Sequence, residues 1–283
     1  MITIIDYGAG NLFSVQNALN FLGVENNISS KVEDIISADK LILPGVGAFP
    51  DAMKMLDEAG LTEVIKEQAK KKPLMGICLG MQMLFDKSYE FGETEGLGLI
   101  PGTVELMHPA NDLVIPHIGW NSLEKNEPCK LLESVNDGDY VYFVHSYAAV
   151  TDSKNVAAYC DYGMKVPALV MSGNVYGCQF HPEKSGKTGL GILKTFASFK
   201  RQVRKELLMD KLICSCGGKL KQGFFSGGLL PLQAQVSVEF EGYGVAVSPV
   251  TAYVCTKCGK VELYADKTVV CDPAEQGKES EGE

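Results

Sequence analysis

Three short segments carry side chains that can work together as a nucleophile, its base and an anion cradle. In Gly76-Ile77-Cys78-Leu79-Gly80 a cysteine stands between two glycines, directly after an apolar run. That is the context of a nucleophile elbow, where a sharp strand-to-helix turn lifts the reactive atom clear of the strand end. The glycines permit the turn and leave room for substrate, and a helix N-terminus favours the thiolate. Taken alone, the segment reads somewhat more readily as a small apolar side chain buried at a strand–helix junction.

His181-Pro182-Glu183 follows the apolar run Val175 to Phe180, so it belongs at a strand end. Open α/β sheets place their sites there. A histidine can take a thiol proton and return it to a leaving group. A carboxylate two residues on can hold the ring by its other nitrogen, with Pro182 limiting how the pair moves. Alone, this too is as readily a surface turn. The third segment is the loop Leu43-Pro44-Gly45-Val46-Gly47-Ala48. Its close glycines let a backbone N–H turn toward the sulfur and, with the N–H of Leu79, stabilise the oxyanion of thioester formation. Such a loop is usually just a turn; its weight comes from the other two segments.

A different chemistry is written near the C-terminus. Cys255-Thr256-Lys257-Cys258 has the spacing of a zinc knuckle, whereas Cys214-Ser215-Cys216 has one residue fewer between its thiols. Four thiolates at Cys214, Cys216, Cys255 and Cys258 leave no open coordination position, so a zinc held there is structural. So short a segment needs such a staple to fold. The competing reading is a ribbon that has lost its metal and stands on its strands alone. Cys271 lies in the polar tail and is a bystander.

The elements that must position these groups follow from periodicity. Ile2 to Ile5, Leu41 to Leu43 and Pro73 to Ile77 are short apolar runs, expected as buried strands. Leu12, Val15, Leu19 and Leu22 recur at helical spacing up to Gly23, and Pro50 opens a helix with Met53 and Leu56 inward. Met81 to Phe85 is expected to begin another helix. Strand followed by helix, repeated, predicts an α/β fold: an open mixed, mostly parallel sheet with helices on both faces. Strand candidates then crowd together at Val114–Ile118, Tyr140–Val144, Val156–Tyr159, Leu169–Met171 and Val175–Phe180. A last helix is expected from near Leu190, with Leu193, Phe196, Val203 and Leu207 on one side and Lys200 to Lys205 at its solvated end. The expected domains are 1–205, a small β-rich zinc-ribbon-like module at 211–266, and an acidic tail at 267–283 too polar to fold.

Composition limits the partners. A net charge of −9 argues against a general nucleic-acid or anionic-membrane surface, because both need concentrated positive charge. The start MITIIDYGAG has no basic leader, and no stretch reaches the roughly 18 apolar residues of a membrane span. The expectation is a cytoplasmic protein. Nine cysteines, an odd number without a secretory signal, argue against a disulfide framework.

The segments IIDYGAGNL, LILPGVGAF, PLMGICLGMQMLF, GLGLIPG, IPHIGWN, YFVHSY and GCQFHPEKSG occur in this order over the first 186 residues. In them the chain resembles the class I glutamine amidotransferases, and within these the glutaminase subunits of imidazole glycerol phosphate synthase. The resemblance covers residues 1 to about 200. It implies that Cys78 is the nucleophile, His181 the base and then the acid, and Glu183 its orienter. It matches Gly45, Val46 and Gly47 to a mobile oxyanion strand, with Leu79 as the second donor. Gln82 matches a position that helps hold glutamine, and His145, Ser146 and Tyr147 match the segment beside the bound substrate.

The resemblance also implies that catalysis needs no cofactor. It implies a partner as well: a (β/α)8 barrel cyclase subunit that receives the ammonia, since this chain carries no barrel. His117 to Asn121 then lies near the partner face; the lesser reading of Trp120 and Asn121 is a buried aromatic and a turn asparagine. Two alternatives stand beside this reading: an amidotransferase domain retired into a binding or regulatory role, or a glutaminase serving a different synthase.

Overall fold

The computed structural model describes residues 1–110 and 113–199 with their side chains, and beyond residue 199 the backbone of five strands. The chain divides into two units, Met1–Val203 and Arg204–Glu283. Among the described residues, no helix is long and apolar enough to cross a membrane.

The first unit opens with β1 (Ile2–Ile5), α1 (Leu12–Phe21), β2 (Asn26–Ser29), α2 (Val32–Ser37) and β3 (Lys40–Gly45). Next come α3 (Phe49–Glu58), α4 (Thr62–Ala69), β4 (Leu74–Cys78) and the single turn α5 (Leu79–Gln82). β5 (Phe85–Ser88), β6 (Thr94–Glu95), β7 (Ile100–Leu106), β8 (His117–Ser122) and β9 (Glu124–Lys125) follow. β10 (Tyr140–His145), β11 (Tyr147–Val150), β12 (Val156–Asp161), β13 (Lys165–Ser172), β14 (Val175–Cys178) and α6 (Gly186–Ser198) complete it.

The main sheet runs β2-β1-β3-β4-β14-β13-β12-β9. Neighbours from β2 to β14 are parallel, and those from β14 to β9 antiparallel. Its two faces are both buried, which is why its central strands are uninterrupted apolar runs. Successive residues alternate between the faces. Ile42, Met75 and Ile77 pack with Val15 and Leu19 of α1 and Ile192 and Phe196 of α6. Leu41, Leu43 and Leu74 pack with Ile35 of α2, Phe49 and Leu56 of α3, and Ile65 of α4. β8 and β10 form a separate ribbon, and β11-β7-β5-β6 a small sheet.

α1 ends as its sequence predicts. Gly23 takes φ +67°, and the amides of Gly23 and Val24 return to the carbonyls of Asn20 and Leu19, a Schellman closure. Three expectations need correction. No helix continues to Phe85, because the amides of Leu97, Gly98, Leu99 and Ile100 take the carbonyls of Met83, Leu84 and Phe85, and Phe85 starts β5 instead. The strand expected over Val114–Ile118 starts only at His117, after Pro116, which has no amide hydrogen for a ladder. The last helix starts at Gly186 and stops at Ser198. Phe199 turns extended and buries itself beside Tyr176 and Phe196, which ends the helix. Residues 200–205 and Leu207 lie outside the described residues.

In the second unit, β15 (Leu220–Gln222), β16 (Gln235–Phe240), β18 (Val261–Ala265) and β19 (Val269–Val270) all pair antiparallel with β17 (Tyr243–Cys255). Val269 and Val270 therefore form a strand within the stretch expected to be too polar to fold. Cys255 closes β17 opposite Leu220. The other ligands of the expected zinc site, Cys214, Cys216 and Cys258, lie outside the described residues, as does Cys271.

Candidate active site

β3, β4 and β14 are parallel neighbours, so their carboxyl ends emerge together. Gly45 lies opposite Cys78, and Cys178 opposite Ile77, with His181 three residues further on. Cys78 takes φ +55° and ψ −112°, a strained conformation for a side chain with a Cβ, costing about 1–3 kcal/mol. Backbone packing holds it there. A Cβ on Gly80 would stand 1.9 Å from the Leu43 oxygen, one on Gly76 would stand 2.5 Å from the Gly80 oxygen, and one on Gly45 would stand 2.6 Å from the Gly80 nitrogen. The glycines make room for each other's backbone, more than for substrate. α5 is one turn long, so little macrodipole builds up behind the sulfur.

His181 and Glu183 form the second half of the site. His181 Nδ1 is 2.9 Å from Glu183 Oε1, and both side chains are almost fully buried. His181 Nε2 and Glu183 Oε2 are two of only three buried side-chain polar atoms without a hydrogen-bond partner among the described residues. Buried polar atoms are nearly always satisfied, so this pair is held ready for something else. Burial alone would push the ring's pKa down. The neighbouring Cys78 sulfur and Glu183 carboxylate outweigh it and raise the pKa from 6.5 to about 9. At neutral pH the ring thus keeps a proton, which is the companion a thiolate needs.

The sign for folding follows from the same shift. Stability from this ring is complete below about pH 6.5 and is lost as pH rises through about 9. For turnover, Glu183→Gln removes one of the charges that hold the proton. The alkaline limb of kcat/KM, expected near pH 9 in the native chain, should move about one unit lower, with kcat down at least about tenfold. A limb that stays in place in a pH–rate profile would show that Glu183 does not govern the ring.

A cavity of about 380 Å³ opens over the sulfur. Of the residues predicted from sequence, Cys78, His181, Val46, Gly47, Leu79, Gln82, His145, Ser146 and Tyr147 line it. Glu183 stands behind His181, and Gly45 lies beneath the elbow against Gly80. Gly47 takes φ +95°, and a Cβ there would meet nothing, so the loop carrying the proposed oxyanion donors has open space around it. Gln82 Nε2 donates to the Tyr147 oxygen and to Gln179 Oε1, both at 3.0 Å. His145 and His117 are linked at 3.2 Å, and His117 stacks between Phe143 and Tyr162. Burial lowers the pKa of each to about 4, so both rings are neutral at physiological pH.

Sequence reasoning missed Asn11, Glu90, Pro116, Val144 and Lys184, which also line the cavity. Glu90 is its lining carboxylate. One oxygen is fixed by the amide of Phe49, at the start of α3, at 2.7 Å. Nothing in Tyr89-Glu90-Phe91-Gly92-Glu93 sets that acid apart from its neighbours. Beside the cavity, the β8–β10 ribbon turns an apolar strip outward. Ile118 lies opposite Val144 and Trp120 opposite Tyr142, and Ile118, Trp120 and Tyr140 are more than half exposed. Trp120 is therefore no core aromatic. Val144 belongs to both strip and cavity.

Comparison with known proteins identifies the family. The glutamine amidotransferase class-I family matches residues 3–198. The imidazole glycerol phosphate synthase subunit HisH of Caldanaerobacter subterraneus subsp. tengcongensis is 51% identical over 198 residues, covering 69% of this chain and 97% of that protein. The subunit of the same name from Listeria monocytogenes is 49% identical over 197 residues, covering 69% of this chain and 94% of its own. Among solved structures, a crystal structure of glutamine amidotransferase superposes with a TM-score of 0.56 at 21% identity, over 70% of this chain and 100% of that one. At that identity the likeness is one of fold.

Proposed function

The chain belongs to the glutamine amidotransferase class-I family, and on that premise we propose that Cys78 is the nucleophile that opens the side-chain amide of glutamine. The chain supplies ammonia for histidine biosynthesis as the glutaminase subunit of imidazole glycerol phosphate synthase. The observation that carries this is identity of about half that spans nearly the whole of the HisH relatives.

In the proposed cycle the Cys78 thiolate attacks the amide carbon, and the oxyanion meets the N–H of Leu79 and the Val46–Gly47 peptide. His181 Nε2–H gives its proton to the departing nitrogen, and ammonia leaves behind a glutamyl thioester. The same nitrogen then takes a proton from water, whose oxygen attacks the thioester, releasing glutamate and returning the sulfur. Glu183 keeps the ring in register through Nδ1. Glu90 meets the α-ammonium of glutamine, because a buried cation needs a carboxylate and Glu90 is the one that lines the cavity among the described residues.

The ammonia is passed to a separate (β/α)8 barrel cyclase subunit, docked on the apolar strip of Ile118, Trp120 and Tyr140 beside the cavity. Adding that cyclase with its nucleotide ligand should raise ammonia release from glutamine roughly 10- to 100-fold. A rate indifferent to the cyclase, or recovery of a different synthase as the tight partner, would overturn the partnership.

On the same reading the chain works in the cytoplasm and is built as a catalytic domain at 1–205, a zinc-ribbon-like module at 211–266 and a tail at 267–283. The zinc proposal rests on the cysteine spacing and on the pairing of Leu220 with Cys255, which sets the strand that follows the first cysteine pair beside the strand that leads into the second. The four thiolates of Cys214, Cys216, Cys255 and Cys258 suit a tetrahedral structural site. Elemental analysis of the full chain should find about one zinc, lost when all four are changed to serine.

A further inference from the structure

We propose that Gln179 is a positioning residue for the nucleophile: its carboxamide donates toward the Cys78 sulfur and favours the thiolate before glutamine arrives. This rests on the catalytic reading of Cys78 above, but Gln179 has no part in the cycle just described. It is fully buried, and its Nε2 lies 4.0 Å from Cys78 Sγ.

Which end of the carboxamide faces the sulfur is settled by the groups behind it. The Tyr147 carbonyl oxygen can only accept, and Gln82 Nε2 and His145 Nδ1 reach it at 3.0 and 2.9 Å. Gln82 therefore presents its amino end there, and its second hydrogen goes to Gln179 Oε1 at 3.0 Å. With its oxygen committed to Gln82, Gln179 must turn its NH2 toward the sulfur. His145, donating from Nδ1, keeps a lone pair on Nε2, so the bond at 3.2 Å is donated by Nδ1–H of His117. One backbone carbonyl thus sets the direction of every bond from His117 to the nucleophile.

The other groups facing the sulfur explain why a donor is needed. The Val144 oxygen, from β10, is an acceptor 3.8 Å from Sγ, which favours the protonated thiol. Tyr7, beyond the end of β1, lies near the sulfur, but its hydroxyl hydrogen is donated to Met83 Sδ. His181, with Glu183 behind it, supplies the charged donor, and His145 is neutral. Gln179 is the uncharged donor that stays in place as His181 passes its proton on. A hydrogen bond to a charged form favours that form.

The test is the pH dependence of Cys78 alkylation by iodoacetamide in the full chain, followed by the mass of the peptide that carries Cys78. Gln179→Met removes the donor at nearly constant volume, and a thermal melt checks that it folds. The alkylation midpoint should rise by about half to one pH unit. At pH 7 kcat should fall in step, with the KM for glutamine changing less than about threefold. A rise in KM with the midpoint unmoved would make Gln179 a mere support for Gln82 and overturn the proposal. If Gln179→Met does not fold, Gln179→Leu carries the same test with the same two outcomes. Alkylation reads the sulfur without turnover. A native chain that alkylates normally but releases no ammonia would therefore count against the catalytic reading, not against Gln179.

Discussion

Cys78→Ala should lower glutamine-dependent ammonia release by about 10⁴-fold or more, with little loss of stability. The sulfur is the single nucleophilic atom at the elbow, and no other cysteine among the described residues lines the cavity. Cys160 and Cys178 are buried elsewhere in the core, where burial drives their thiols far up in pKa and makes them inert. Alanine keeps the Cβ and the strained backbone, so the elbow survives and only the attacking atom is gone. The change in stability should stay within about 1 kcal/mol, because a small, slightly exposed side chain is removed. Ammonium salts supplied directly should still feed the cyclase in the assembled complex. Equal ammonia release by native and variant chains would remove Cys78 from the mechanism.

Gly80→Ala should be far worse for the fold and nearly as bad for turnover. The added Cβ would stand 1.9 Å from the Leu43 oxygen, and that oxygen belongs to the buried strand β3, which cannot step aside. Overpacking against fixed backbone is expected to cost about 3–5 kcal/mol. To relieve the contact α5 must lift, carrying Cys78 with it, and a displacement near 1 Å costs roughly 10² in rate. Urea denaturation and turnover of the fraction still folded separate the two effects. Gly47→Ala is the useful contrast: a Cβ there meets nothing, so its cost is the positive φ alone, about 1 kcal/mol. A Gly80→Ala chain as stable as Gly47→Ala would show that the elbow is looser than its packing implies.

Chemically rare residues were legible in sequence, and ordinary ones were not. A cysteine between glycines and a His-Pro-Glu turn announce themselves, and the apolar runs that became β1, β3 and β4 placed them at strand ends. β2 gave no such signal, because Asn26-Asn27-Ile28-Ser29 is an edge strand of mostly polar residues. The helix expected from Met81 failed for a reason outside its own segment: the amides that end it come from Leu97 to Ile100. Glu90 and Gln179 were invisible for the same reason. An acid among acids and a lone glutamine gain meaning only once Phe49, Gln82 and Cys78 surround them in space.

The central claim is that the sulfur of Cys78 bonds covalently to the side-chain carbon of a glutamine-shaped ligand. Treating the full chain with a diazoketone analogue of glutamine, then weighing its cysteine peptides, tests this most directly. The predicted result is one adduct, on the peptide bearing Cys78, suppressed by excess glutamine and much slowed in His181→Ala. An adduct on a different cysteine, or one on Cys78 that glutamine does not suppress, would contradict it.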